Sequence, residues 1–241
     1  MRNVLVAGGA GGVGEGIVRA LLTSTDCTVI VTSRDPARLA LLESRVAGHA
    51  DPKRLVSIVG NAGEPVGVNV IAERIRTELG GIDVAIPSLG GWWDGGPLIE
   101  LDLATWDAVR TEMLDTHVVF ARTFVPELLR RAGGRYLGIG GGAALQPIRN
   151  ASIVSIAAAA QLMLTRSLAL ELAGRDVRIN ELVVNGPVRT RESAVVAQRS
   201  WITADEVGGV VAELVNTGTS AWPACRTDGP LLIMDPVQRS R

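Results

Sequence analysis

Short apolar runs alternate with longer helix-like segments along almost the whole chain, and this alternation constrains the fold more than any other feature. The runs expected to be strands are Asn3–Ala7, Thr28–Thr32, Leu55–Val59, Asp83–Ile86, Arg135–Ile139, Val177–Val184 and Leu231–Met234. Most are unbroken rather than alternating, the pattern of strands buried on both faces. Helix starts are legible between them. Asp35-Pro36 sets a capping side chain before a proline at the first helical position, and Thr203-Ala204-Asp205-Glu206 is a capping box for a helix through Val215. Asp102–Arg131 and Asn150–Ala173 read as two long helices, apolar over much of their circumference. Repeated strand–helix units with right-handed crossovers imply an α/β architecture: a doubly wound parallel sheet of about seven strands with helices on both faces. At 241 residues and 47% hydrophobic content, one domain spanning 1–241 is expected to hold that core.

Charge narrows the partners. With 24 basic and 25 acidic residues the formal net charge is -1, so no overall field draws the chain to nucleic acid or to a membrane surface. Cys27 and Cys225 lie far apart and show no metal-ligand spacing, so neither a disulfide framework nor a metal site is expected. The first strand follows Met1 almost at once and no apolar run reads as a membrane span, which gives a cytoplasmic location as the expectation.

Val4 to Gly14 reads VLVAGGAGGVG, a strand that runs through a glycine turn into a helix. Glycine at 8, 12 and 14 lets the backbone turn tightly and lets a phosphate approach the helix N-terminus without a Cβ in the way. Gly8, Gly12, Val13 and Gly14 are therefore the expected cradle of a dinucleotide diphosphate, and the sheet is expected to be of Rossmann type. At the end of the second strand Ser33-Arg34 stands where a carboxylate would select NAD(H). A hydroxyl and a guanidinium suit a 2′-phosphate, so the expected cofactor is NADP(H).

Taken together these motifs resemble the short-chain dehydrogenase/reductase family along essentially the whole sequence. Ala7–Gly14 is similar to its TGxxxGxG turn. Ser167–Leu172 with Val177–Asn180 is similar to its SLALEL…VRVN stretch, and Asn185–Thr190 to its PGxxxT loop. The resemblance implies that Gly90 lines the cofactor, that Thr190 meets the nicotinamide carboxamide, and that Asn61 or Gly60 takes the place of an adenine-holding aspartate. It also implies a homodimer or homotetramer built on the two long helices.

The same resemblance exposes four losses. The family's catalysis rests on Tyr and Lys in Y-x-x-x-K, with a Ser and an Asn. In this chain the corresponding positions are Val154, Ala158, Gly141 and Met113. Valine cannot donate a proton and alanine cannot shift a neighbour's pKa, so an ordinary tetrad is absent. No slip in alignment restores it, because Tyr136 is the only tyrosine and Lys53 the only lysine. Tyr136 reads as core.

Other chemistry must come from beyond the carboxyl ends of the strands. Trp92 and Trp93 could wall an aromatic or apolar substrate, with Gly141 and Val154 in the same pocket, or could equally serve packing or a subunit contact. Asp94 is the nearest candidate acid or base, against the plainer reading of a capped turn. Ser155 follows the lost tyrosine but points about 100° away on a helix. His117 reads as packing within an apolar helix and His49 as surface. Arg189, Arg191 and Arg199 could hold an anion, or could lie on a solvated lid helix. The expected activity is an atypical NADP(H)-dependent oxidoreductase. The alternatives are a catalytically silent NADP(H)-binding or regulatory subunit, and a non-redox enzyme on the same scaffold.

Overall fold

The structure, a computed structural model, describes residues 1–49, 51–217 and 225–236, with backbone alone at 225–228. In chain order the elements are β1 (Asn3–Ala7), α1 (Gly12–Ser24), β2 (Thr28–Ser33), α2 (Pro36–Val46), β3 (Leu55–Val59), α3 (Pro65–Leu79) and β4 (Val84–Pro87). Then follow α4 (Leu103–Arg110), α5 (Thr116–Leu128), β5 (Gly134–Gly141), α6 (Ser152–Glu171) and β6 (Val177–Val184). The chain continues through β7 (Val188–Arg189), β8 (Ile202–Thr203), α7 (Ala204–Thr217), β9 (Cys225–Asp228) and β10 (Leu231–Met234).

The sheet runs β3-β2-β1-β4-β5-β6-β10-β9, with every pair parallel except β10–β9. The expected doubly wound parallel sheet is therefore present. The eighth, antiparallel strand is an addition, because the turn at Gly229 sends the chain straight back beside β10.

Alternate residues of β1 to β5 serve two cores. Val4, Val6, Val29 and Val31 face α1, α2 and α7; Leu5, Ala7, Ile30 and Ile58 face α3 and α5. Both helix starts foreseen in the sequence are made. Asp35 accepts from Ala37 N at 2.8 Å, and Thr203 and Glu206 exchange bonds at 2.8 and 3.1 Å. Gly16 and Gly208 sit where α1 and α7 cross: a Cβ on Gly208 would lie 2.6 Å from the carbonyl carbon of Gly16, and one on Gly16 would meet the Ala204 backbone.

Three expectations need correction. Asp102–Arg131 is not one α-helix: α4 and α5 are joined by a π-helical turn, Thr111–Asp115, and helix ends at Leu128. An extra residue in the turn slips the hydrogen bonds from i→i+4 to i→i+5 and re-aims Met113. The expectation that no segment reaches membrane-span length also fails, because α6 does so by length and composition. Its Ile153, Val154, Ala157, Ala158, Gln161, Leu162 and Thr165 are buried within the fold. Finally, 191–200 forms turns and loop rather than a lid helix. Cys27 is free, and burial pushes its thiol up; the side chain of Cys225 lies outside the described residues.

Candidate nucleotide and substrate site

The glycine turn at the carboxyl end of β1 is shaped by contacts that exclude side chains. Gly8 has φ +76°, and a Cβ there would run into the Ser88 carbonyl; at Gly14 it would lie 2.7 Å from Gly9 Cα. The N-cap of α1 is Gly11, with no side-chain cap, so the first-turn N–H groups of Gly12, Val13 and Gly14 meet no capping side chain. An uncapped helix start reached by glycine alone fits a diphosphate. Thr190 closes the other side, its Cβ lying 2.8 Å from where a Gly12 Cβ would be, and the Glu192 carboxylate comes within 2.7 Å of the same point.

Around this turn, Arg34 extends into solvent, its side chain 70% exposed and 4.0 Å from Glu112. Ser33 Oγ accepts from Asp35 N at 3.1 Å, and Asn61 Oδ1 from Gly63 N at 3.0 Å. Gly90 has φ +103° and faces the Met113 backbone. Thr190 is held by Ser193, whose Oγ accepts from Thr190 N at 2.9 Å.

A charge cluster anchors the 190–201 segment, one that the sequence reading did not identify. Glu15, buried in the first turn of α1, pairs with Arg45 and Arg191 at 2.8 Å and with Arg19 at 3.1 Å. Burial pushes the Glu15 carboxyl up, but Arg191 and Arg45 outweigh it and hold the group below the usual carboxylate range. Arg189 and Arg199 are exposed.

Beyond the ends of β4 and β5 lies an apolar floor. Val154, Ala158, Ala143 and Ala151 form a buried cluster against which Trp93, Met113 and Ala144 pack. The π-helical turn delivers Met113 to it, and one face of α6 supplies Val154 and Ala158 one turn apart. Gly141 lies at its exposed edge, where a Cβ would meet open space. Trp93 is held by its own loop: a Cβ on Gly95 would fall 2.6 Å from the indole, and the N–H groups of Gly95 and Gly96 both donate to Asn150 O at 3.3 Å. Asn150 itself has φ +62°, a left-handed conformation that asparagine tolerates better than most residues.

The structure separates residues that the sequence reading grouped. Trp92 is 63% exposed and outside the cluster, and Asp94 is exposed. Ser155 is occupied in holding the preceding loop, accepting from Ile148 N at 3.1 Å and donating to Ala151 O at 3.2 Å. His117 is buried, with Nε2 3.3 Å from Leu89 O; burial pushes its pKa down to about 4, so it stays neutral near pH 7. Tyr136 is fully buried against Phe120, and burial raises its phenol far beyond any catalytic range. Unforeseen is a polar group beneath the floor, in which Glu181 on β6 accepts from Gln161 at 3.0 Å and from Thr165. The lone acid of the strand Val177–Val184, directly ahead of the apolar Leu182, Val183 and Val184, was the available signal.

A glycine cradle at the first strand–helix junction is shared by several nucleotide-binding families, so the extent of likeness decides among them. The family model for short chain dehydrogenase matches residues 2–200. The chain belongs to the short-chain dehydrogenase family. It is 27% identical over 193 residues to dehydrogenase/reductase SDR family member 4 of Sus scrofa, covering 80% of this chain and 67% of the relative. It is 25% identical over 237 residues to 2,3-dihydro-2,3-dihydroxybenzoate dehydrogenase of Bacillus subtilis, covering 96% and 85%. Among solved structures, an NADPH-bound short chain oxidoreductase from Pseudomonas aeruginosa PAO1, described as containing an atypical catalytic center, superposes with TM-score 0.84 at 21% identity, covering 97% and 95%. A metagenomic short-chain oxidoreductase in complex with NADP gives 0.77 at 23% identity, covering 99% and 98%. At these identities the structural likeness establishes the fold, and this short-chain dehydrogenase carries its own floor residues.

Proposed function

We propose that the protein is an NADP(H)-binding oxidoreductase that works without the family's Asn-Ser-Tyr-Lys tetrad, on a small substrate that is aromatic or apolar and already activated. The observation that carries this reading is the floor. Where the family resemblance asks for four polar groups, Met113, Val154 and Ala158 pack with Trp93 and Gly141 adds no side chain. When bound, the nicotinamide ring supplies or takes a hydride. The chain's own residues then bind and orient. The first-turn N–H groups of α1 hold the diphosphate, Ser33 and Arg34 the 2′-phosphate, and Thr190 the carboxamide. Trp93 and Val154 would line the apolar side of a planar substrate and exclude water.

Hydride transfer depends chiefly on positioning, and a general acid contributes roughly 10²–10⁴-fold. An iminium or an activated enone, which needs little protonation in the transition state, fits such a floor better than a simple ketone. Turnover of such compounds with NADPH, followed by absorbance, tests the reading. Silence across that panel with intact NADPH binding would favour a non-catalytic nucleotide-binding subunit.

The NADP-bound structural neighbours support the cofactor choice. Calorimetric titration is expected to show NADP(H) binding at least tenfold tighter than NAD(H), a difference of about 1.4 kcal/mol. Arg34→Ala should remove most of it, since Arg34 is exposed and its loss leaves the core intact. Equal affinities in the unmodified protein would overturn the assignment.

We also propose a homodimer or homotetramer in the cytoplasm, although one curated relative, human dehydrogenase/reductase SDR family member 2, is described as mitochondrial. Ile156, Met163 and Leu170 recur every seven residues along α6 and are 42%, 57% and 79% exposed; Val118 on α5 is 43% exposed. An apolar stripe of this kind suits a partner helix. Sedimentation at micromolar concentration should give a species of at least twice 25.3 kDa. A monomer alone would count against it.

A further inference from the structure

Glu181 has the surroundings of a group under control rather than of a structural acid. It is fully buried on β6, where most other residues are apolar. Space for it exists because two neighbours on β5 lack side chains. A Cβ on Gly140 would lie 2.5 Å from Glu181 Oε1, and one on Gly138 3.0 Å from Oε2. Two neutral donors on α6 reach it: Thr165 Oγ1, and Gln161 Nε2, which also donates to Ile139 O at 3.1 Å. From β5 it faces Tyr136, Gly138 and Gly140; from β10, Leu231 lies opposite, and Pro230 O accepts from its backbone N–H. Among the described residues no arginine, lysine or histidine pairs with it.

We propose that Glu181 is a pH-sensitive tie between α6 and strand β5, whose change of protonation shifts the apolar floor above it. The connection is short. Gln161 lies one turn beyond Ala158, which with Val154 supports Trp93, and Gly140 precedes Gly141 at the floor's edge. A carboxylate held by two neutral donors, with no counter-ion, is costly to bury. Ionisation therefore draws water in, while it strengthens the bonds donated by Thr165 and Gln161 and so pulls α6 against β5. Burial moves the group up to about 7, against the opposing pull of Thr165 and Gln161, so the change falls in the neutral range.

The sign follows from proton uptake. A folded pKa raised above the unfolded value means that the folded chain binds more protons between about pH 4.5 and 7, so stability falls as pH rises through that window. His117, whose folded pKa is lowered to about 4, acts oppositely from about pH 6.5 down to 4. The whole-protein curve thus conceals both, and a difference between variants is needed.

The experiment is a carbon-13 NMR titration of glutamate carboxyls in the full-length protein and in Glu181→Gln, with urea unfolding of both. One resonance with a midpoint near neutrality should vanish in the variant, and the amides of Gly140, Gly141 and Ala158 should shift with that midpoint only in the unmodified protein. The ratio of unfolding constants, unmodified to variant, should rise about tenfold per pH unit between about pH 5 and 7. Should Glu181→Gln not fold, Gln161→Leu removes one donor and is expected to move the midpoint upward. A Glu181 midpoint near 4.5, or a neutral midpoint without movement of those three amides, overturns the proposal.

Discussion

Gly208→Val is expected to cost about 3 kcal/mol or more of folding stability, enough to lower expression of folded protein sharply. A Cβ at this position meets the carbonyl group of Gly16, not the end of a flexible side chain, so only movement of a whole helix relieves the clash. Neither helix is free to move. Ile17, Val18 and Leu21 on α1 are 0% exposed against the sheet, and Val207 and Val211 on α7 are equally buried. Parting them would open the larger of the two cores. The neighbouring Gly209 supplies the control, since nothing lies within 4 Å of a Cβ there. Gly209→Ala should stabilise by about 0.5–1 kcal/mol, the ordinary gain of alanine over glycine inside a helix. Urea unfolding of the three proteins measures both effects. A Gly208→Val protein as stable as the parent would show that the α1–α7 crossing yields more readily than its contacts imply.

The unmodified protein is expected to give no NADPH-dependent reduction of simple ketones above background. A ketone oxygen gathers charge as hydride arrives, and the floor has no acid to meet it: Val154, Ala158 and Met113 are packed with Trp93. Loss of a general acid costs roughly 10²–10⁴-fold. Single restorations should fail, because a tyrosine needs the lysine to lower its pKa and the serine to place the carbonyl. The fourfold variant Met113→Asn, Gly141→Ser, Val154→Tyr, Ala158→Lys is expected to regain at most weak activity. The serine enters open space, but a phenol at 154 must displace the Trp93 indole from the cluster. Adding Trp93→Ala should therefore raise the recovered rate. Robust ketone turnover by the unmodified protein would mean that another acid operates.

The sheet was legible because its central parallel strands are buried on both faces and so read as apolar runs. The glycine turn was legible because its residues must be glycine: Gly8 and Gly14 have no room for a Cβ. What escaped depends on contacts distant in sequence. Glu15 and Arg191 are paired only because the 190–201 segment folds back on α1, and no local pattern announces it. The π-helical turn at Thr111–Asp115 continues the helix with no glycine or proline to mark it, so the sequence did not separate α4 from α5. Glu181 was visible as the lone acid of its strand, but its partners on α6 were not. The tryptophan pair split for a simple reason: adjacent residues in a loop diverge, and Gly95 makes room for only one indole.

The pairing of α1 with α7 also governs the order in which the chain can be completed on the ribosome. The second element made finds its main helical neighbour only when residues 204–217 emerge, and Arg2 and Ser24 wait likewise for the carbonyl of Val215 and the amide of Asn216. Until then Ile17, Val18 and Leu21 can use only the strands and α2, and part of their apolar surface stays wet. Contacts closed over so long a loop slow folding and leave a nascent intermediate exposed to aggregation. A ribosome-stalled chain ending before residue 204 should thus bind a hydrophobic-surface dye or a holdase chaperone, whereas one carrying α7 fully outside the exit tunnel should not.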